Sequence, residues 1–167
     1  MPPSRARERL LRIGVLWTLV FTILSLAFVA DYTLLPSLDH RYRAAFYPGS
    51  QLAAAVTQRF KAMTGREPAY VIASIWEGGN VAHYSGLQPQ PRVLIDGLPH
   101  RAPWIDLADL RAKGALIVWA GDKPRALPES FAAVAAGAEV GMPFEVPFRR
   151  GNMILHVGWA VLRPQSP

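Results

Sequence analysis

Two carboxylates three positions apart on one helix share a face, as a general acid and a general base would, and Asp106 and Asp109 have that spacing. Both fall in the first turn of a helix expected over Trp104 to Lys113, where a carboxylate also supports the positive end of the helix dipole. That electrostatic role is the stronger explanation of the pair. Trp104, just before them, offers a ring on which a sugar could stack, although packing in the core explains it more simply. A second group, Glu77 with His83 and Tyr84, follows the first expected strand. Ligands of open α/β sheets bind beyond the carboxyl ends of the strands, so these three could line a cleft there.

The remaining chemistry is sparse. His40, His100 and His156 lack metal-ligand spacing, and no HExxH pattern occurs. The chain has no cysteine, which excludes a disulfide framework and a thiolate metal site. Gly78-Gly79 is not a phosphate loop, since neither GxGxxG nor GxxxxGK surrounds it, and Ser74, Ser85 and Ser130 lack the nucleophile-elbow context. The sequence contains no complete catalytic constellation, and it implies no metal and no cofactor.

The elements that must position these residues alternate in type. Asp31 to Pro48 reads as an irregular connector. Ser50 is a plausible N-cap for a helix whose apolar positions Leu52, Val56, Phe60 and Met63 recur at helical spacing; Gly65 closes it, and Pro68 prevents its resumption. Tyr70 to Trp76 is rich in β-branched and aromatic residues and predicts a first strand, with a short helix following over Asn80 to Tyr84. Arg92 to Asp96 is a second strand and Ala115 to Ala120 a third, separated by the helix that Gly114 stops. Apolar strands alternating with helices argue for parallel βαβ units, with a further helix over Glu129 to Ala136. Phe144 to Arg150 and Met153 to Leu162 then flank Gly151-Asn152 as an antiparallel hairpin, with Met153, Leu155, Val157, Trp159 and Val161 on one face. The expected fold is α/β: a small three-layer domain with a mostly parallel sheet and an antiparallel edge.

Ahead of this domain the charge is concentrated. Of the net +6 over 167 residues, Arg5, Arg7, Arg9 and Arg12 offset by Glu8 place +3 in the first twelve. Ile13 to Ala30 follows without a charge, and eighteen helical residues span about 27 Å, close to the thickness of a bilayer's hydrocarbon core. A backbone there satisfies its polar groups internally only as a helix. A cleaved signal peptide also begins basic and continues apolar. This run is longer than a usual signal core, and the cleavage candidate Ser25-Leu26-Ala27 lies inside it, so an uncleaved anchor is the preferred of the two readings. Both export the rest of the chain, with the arginines on the cytoplasmic side. The later arginines are scattered and not interleaved with aromatics, which argues against nucleic acid as a partner. The resulting organisation is a basic segment over 1–12, a transmembrane helix over 13–30, a connector over 31–48, an α/β domain over 49–164 and a tail over 165–167.

The domain's landmarks also follow one another in a recognisable order. They are Tyr47-Pro48-Gly49, the helix from Phe60 to Gly65, the strand from Tyr70, Asn80-Val81-Ala82-His83-Tyr84-Ser85, Pro103-Trp104-Ile105-Asp106, and Gly114 before Ala115 to Trp119. This order resembles the C-terminal soluble region of bacterial family 39 glycosyltransferases of GT-C type, relatives of the protein mannosyltransferases and of the aminoarabinose lipid A transferase. The resemblance runs from about Phe46 to Pro164, with the apolar segment standing where those proteins have their last membrane helix. It implies transfer of a sugar from a polyprenyl-phosphate carrier on the outer side of a bacterial inner membrane. Members of that superfamily carry their catalytic acidic residues in the first extracytoplasmic loop of a many-spanning region, and this chain has one apolar segment and no such loop. The expectation is a single-pass extracytoplasmic module, non-catalytic alone, that supports acceptor recognition or assembly with a multi-pass membrane partner. It could be a detached module, a fragment of a longer protein or a stand-alone subunit. Two other classes stay open: an independent carbohydrate-binding protein of the cell envelope, and a self-contained hydrolase or transferase using Asp106 and Asp109.

Overall fold

The computed structural model describes residues 3–38, 42 and 44–165, and these divide into two compact units, the N-terminal helical segment together with Arg150–Met153, and an α/β domain formed by the rest. The first is helix α1 (Pro3–Thr33) followed by the single turn α2 (Leu35–Leu38). Within α1, Arg7–Thr33 is a 27-residue stretch long and apolar enough to cross a membrane, and none of its most apolar window is buried. The expected span over 13–30 is thus the central part of a longer helix. Its threonine hydroxyls within the span are satisfied without water: Thr18 donates to the Gly14 carbonyl at 2.9 Å and Thr22 to that of Thr18 at 2.8 Å. The connector expected to be irregular is instead partly helical, with α2 and a 3-10 turn over Ala44–Phe46. His40 lies outside the described residues.

The domain opens with α3 (Gly49–Thr64). Leu52, Val56 and Phe60 recur every four residues, and all three are at most 1% exposed. Gly65 ends the helix at a φ of 69°, its N–H donating to the Lys61 carbonyl at 2.8 Å. Ser50 is not the N-cap. The helix already includes Gly49, and the Ser50 hydroxyl accepts from Arg149 Nη2 at 3.3 Å instead.

Strand β1 (Tyr70–Ala73) is shorter than the expected Tyr70 to Trp76, because Ser74 caps α4 (Ile75–Tyr84). The Ser74 hydroxyl oxygen accepts from the backbone N–H groups of Trp76 at 3.1 Å and Glu77 at 3.3 Å. It also donates to the Glu77 carboxylate. Serine with glutamate three positions on satisfies helix-end donors that a continuing strand would pair elsewhere, so the chain turns helical five residues before the expected start at Asn80. Strand β2 (Arg92–Ile95) follows, then a 3-10 turn over Pro99–Arg101, α5 (Leu107–Lys113) and β3 (Ala115–Ala120). Helix α5 begins three residues later than Trp104 because Asp106 is its N-cap. The helix expected over Glu129 to Ala136 is reduced to a 3-10 turn at Glu129–Phe131.

Strand β1 pairs in parallel with both β2 and β3, as crossovers through α4 and α5 require. The C-terminal part is antiparallel. Strand β6 (Ile154–Leu162) runs against β3 from Ala115↔Leu162 to Ala120↔Val157. Its other edge takes two short strands end to end, β4 (Glu139–Val140) opposite Val161 and Ala160, and β5 (Phe144–Pro147) opposite Val157 to Ile154. The hairpin is therefore present, but residues 148–153 connect its strands in place of the two-residue turn expected at Gly151-Asn152. The sheet order β2-β1-β3-β6-β4 is a mixed α/β sheet, parallel through its first three strands and antiparallel at its C-terminal side.

Both faces of this sheet are covered. Tyr70, Ile72, Ile117, Ala160 and Leu162 pack on one face with Leu110 of α5 and with Phe131 and Ala135. The alternate positions of the central strands face α3 and α4. The layering is thus helices, sheet, then α5 with the 3-10 segments.

Candidate functional site

Helix α4 decides the fate of three candidates. It carries the chain back from the end of β1 to the start of the parallel strand β2, so its two ends lie at opposite ends of the sheet. Glu77 is in its first turn and His83 and Tyr84 in its last, about 9 Å further along the axis. Glu77 is half-buried at the carboxyl end of β1, as a cleft residue would be, but its carboxylate is engaged by the Ser74 hydroxyl. His83 and Tyr84 are exposed, with their rings edge to face at 4.7 Å. His83 and Tyr84 thus meet each other at the last turn of α4, while Glu77 stands at its first.

Trp104 is 60% exposed in the turn before α5, so the expectation that it packs in the core is not met. Asp106 is exposed, and its Oδ1 accepts from the N–H groups of Ala108 at 2.8 Å and Asp109 at 3.3 Å. This is the capping role that a carboxylate at this position performs best. The carboxylate of Asp109 points elsewhere. The Tyr70 hydroxyl donates to its Oδ2 at 2.5 Å, and Lys113 Nζ donates to the same oxygen at 2.8 Å. Asp106 and Asp109 therefore direct their carboxylates to different partners.

The Tyr70–Asp109–Lys113 group joins the start of β1 to α5. The Lys113 hydrogen bond, followed by that of Tyr70, holds the Asp109 carboxyl below the usual carboxylate range. Asp109 in turn raises Lys113 through their hydrogen bond. Burial first, and then the hydrogen bond to Asp109, raises the Tyr70 phenol above its ordinary value. Each shift favours the proton distribution already present at neutral pH, which makes the group a structural tie and a poor general base. No charged side chain is buried among the described residues.

A shallow depression of about 330 Å³ lies beside the C-terminal strands, lined by Pro124, Arg125, Pro143, Phe144, Glu145 and His156. Glu145 and His156 are directly opposed across β5 and β6, with Glu145 Oε1 3.2 Å from His156 Nδ1. His156 is thus an exposed strand residue. Grooves along α1, bounded by side chains such as Leu11, Val15 and Leu19, are the furrows of an exposed apolar helix. Among the described residues no three His, Asp or Glu side chains are placed to hold a metal ion.

Two features escaped the reading of the sequence. The Ser74–Glu77 capping pair was visible as S-x-x-E but lay inside an apolar run that reads as strand. The tie of Asp109 to Tyr70 had no local signal, since the partners are 39 positions apart. Comparison with models of known protein families, with curated proteins and with solved structures finds no match to this chain.

Proposed function

We propose that this chain is a membrane-anchored, extracytoplasmic module of glycosyltransferase type, non-catalytic alone, that supports acceptor recognition or assembly beside a multi-pass membrane protein using a polyprenyl-phosphate sugar. The observation that carries the reading is a 27-residue apolar stretch, unburied across its most apolar window, joined to an α/β domain whose candidate carboxylates Glu77, Asp106 and Asp109 are engaged in caps and an ion pair. The order of landmarks from Tyr47 to Trp119 supplies the link to family 39. In this reading the basic N-terminal segment stays in the cytoplasm of a bacterium, and the domain faces the periplasm or outer medium.

Extraction of the tagged full chain from its native membrane in a gentle detergent tests the proposal. The expected result is co-purification of a multi-pass membrane protein in stoichiometric amount. A chain that purifies alone refutes it. The exposure of Trp104 favours one second reading, an independent carbohydrate-binding protein, because an exposed indole ring is a surface on which sugars stack. Calorimetric titration of the full chain with envelope oligosaccharides separates the two, since the first reading does not require affinity for free sugar.

A further inference from the structure

The two ends of the α/β domain differ in chemistry. At the end where β1 and β3 begin, three exposed ion pairs cluster in sequence around the strand starts: Lys61–Glu67, Lys113–Asp109 and Arg163–Glu139. At the end where β1 finishes and β6 begins, large apolar side chains face outward. Ile75 is 64% exposed, Trp76 43% and Ile154 48%. Single exposed apolar residues are ordinary, but here an isoleucine and a tryptophan stand side by side on the first turn of α4, on one face of the sheet, and Ile154 projects at the same end from the other face, so apolar side chains flank this end on both sides.

This apolar end is also where the chain enters the domain. The Tyr47 ring packs edge-on against Trp76 at 5.5 Å and against Phe148 at 5.9 Å. The Arg149 N–H donates to the Phe46 carbonyl at 3.0 Å, and the exposed Arg149 guanidinium reaches the Ser50 hydroxyl. The end with exposed Trp and Ile is therefore the one the chain reaches first on entering the domain, and it carries a cation. Indole rings and arginine side chains together suit the boundary where acyl chains meet phosphate headgroups.

We propose that the end of the domain bearing Ile75, Trp76 and Ile154 rests on the headgroup region of the same bilayer that α1 crosses. The contact is shallow. The exits of β2 and β3 at this end carry Asp96 paired with Arg101, and Asp122 beside Lys123, which keep those parts of the surface in water. The inference rests on the reading of α1 as membrane-spanning, and the experiment separates the two.

The chain has no cysteine, so single cysteines at residues 19, 66, 75 and 154 can each carry a nitroxide label. The full chain is reconstituted into phosphatidylcholine vesicles containing some phosphatidylglycerol, and collision of each label with oxygen and with a water-soluble nickel complex is measured. Leu19→Cys on α1 reports the anchor, and Arg66→Cys, at the polar end of the domain, reports free water. The expected result is that labels at Ile75→Cys and Ile154→Cys collide with nickel several-fold less than the label at 66, and more with oxygen. If the label at 19 is lipid-protected while those at 75 and 154 match the one at 66, the surface contact is overturned and the anchor stands. A label at 19 that behaves as in water overturns both. Spin–spin broadening at 75 that disappears on dilution with unlabelled protein means a second copy covers this face, and it also overturns the proposal.

Discussion

Gly78 and Gly79 are neighbours on α4, yet alanine at each should change stability in opposite directions. A Cβ on Gly79 meets nothing within 4 Å, whereas one on Gly78 would lie 2.5 Å from Val93 Cγ1 and 3.4 Å from the Ala73 Cβ. Replacing glycine by alanine inside a helix is intrinsically favourable by about 1 kcal/mol, through the entropy that glycine loses on folding. For Gly79 that gain is the whole effect, so Gly79→Ala should raise the melting temperature by about 4 °C for a domain of this size. For Gly78 the same gain is opposed by overpacking, which costs roughly 1–3 kcal/mol. The clash falls on a β-branched side chain with a stiff χ1, on strand β2, so relief requires α4 to lift from the sheet. Gly78→Ala should therefore destabilise the domain by about 1 kcal/mol net.

Removing the clashing methyl tests the cause. In a Val93→Ala background the penalty of Gly78→Ala should shrink, giving a coupling energy of about 1–2 kcal/mol in the double-mutant cycle. Unfolding of the full chain in detergent is followed by near-ultraviolet circular dichroism, which reads the packed aromatic residues of the domain and not the helicity of α1. Equal stabilisation by Gly78→Ala and Gly79→Ala, or a Gly78→Ala cost unchanged without the Val93 methyls, would refute the close approach of α4 to β2.

Three further outcomes follow from the same geometry. Ser74→Ala removes the acceptor for two helix-start N–H groups and should cost about 1 kcal/mol by chemical denaturation, with no change in the far end of α4 at His83; a neutral result contradicts the cap. Gly158→Ala would set a Cβ 2.1 Å from Trp119 Cε2 and 2.3 Å from the Pro124 carbonyl oxygen, and should lower stability by about 3 kcal/mol with a changed near-ultraviolet tryptophan signal. Acidification should weaken the domain through Asp109 and Glu139, both held below their ordinary range, by Lys113 first and by Arg163 first respectively. Groups with depressed folded values give stability that is present above their unfolded values, near 4, and is lost as pH falls through the folded ones. Asp109→Asn should then lower the melting temperature at pH 7 more than at pH 3, and an equal drop at both would disprove the linkage.

Local pattern was enough where the signal repeats within a few residues. The uncharged run from Ile13 to Ala30 defines a lipid-length helix with no reference to the rest of the chain, because its backbone bonds close within the segment. Leu52, Val56 and Phe60 with Gly65 fix α3, and the apolar runs at Arg92 and Ala115 fix β2 and β3, since period and punctuation are properties of the sequence itself. Where a short apolar run has no clear period, as from Tyr70 to Trp76, strand and helix compete, and the capping pair at Ser74 and Glu77 settles the boundary.

Other features depended on residues far apart in the chain. Arg149 takes the Ser50 hydroxyl, Tyr70 takes Asp109, and β4 and β5 share one edge of β6. The candidate site was of this kind. Glu77, His83 and Tyr84 are close in sequence, but a helix that returns along the sheet places its first and last turns at opposite ends, and only the parallel pairing of β1 with β2 dictates that return. Residue types and spacing thus fixed which side chains were available, while the topology decided which of them could meet.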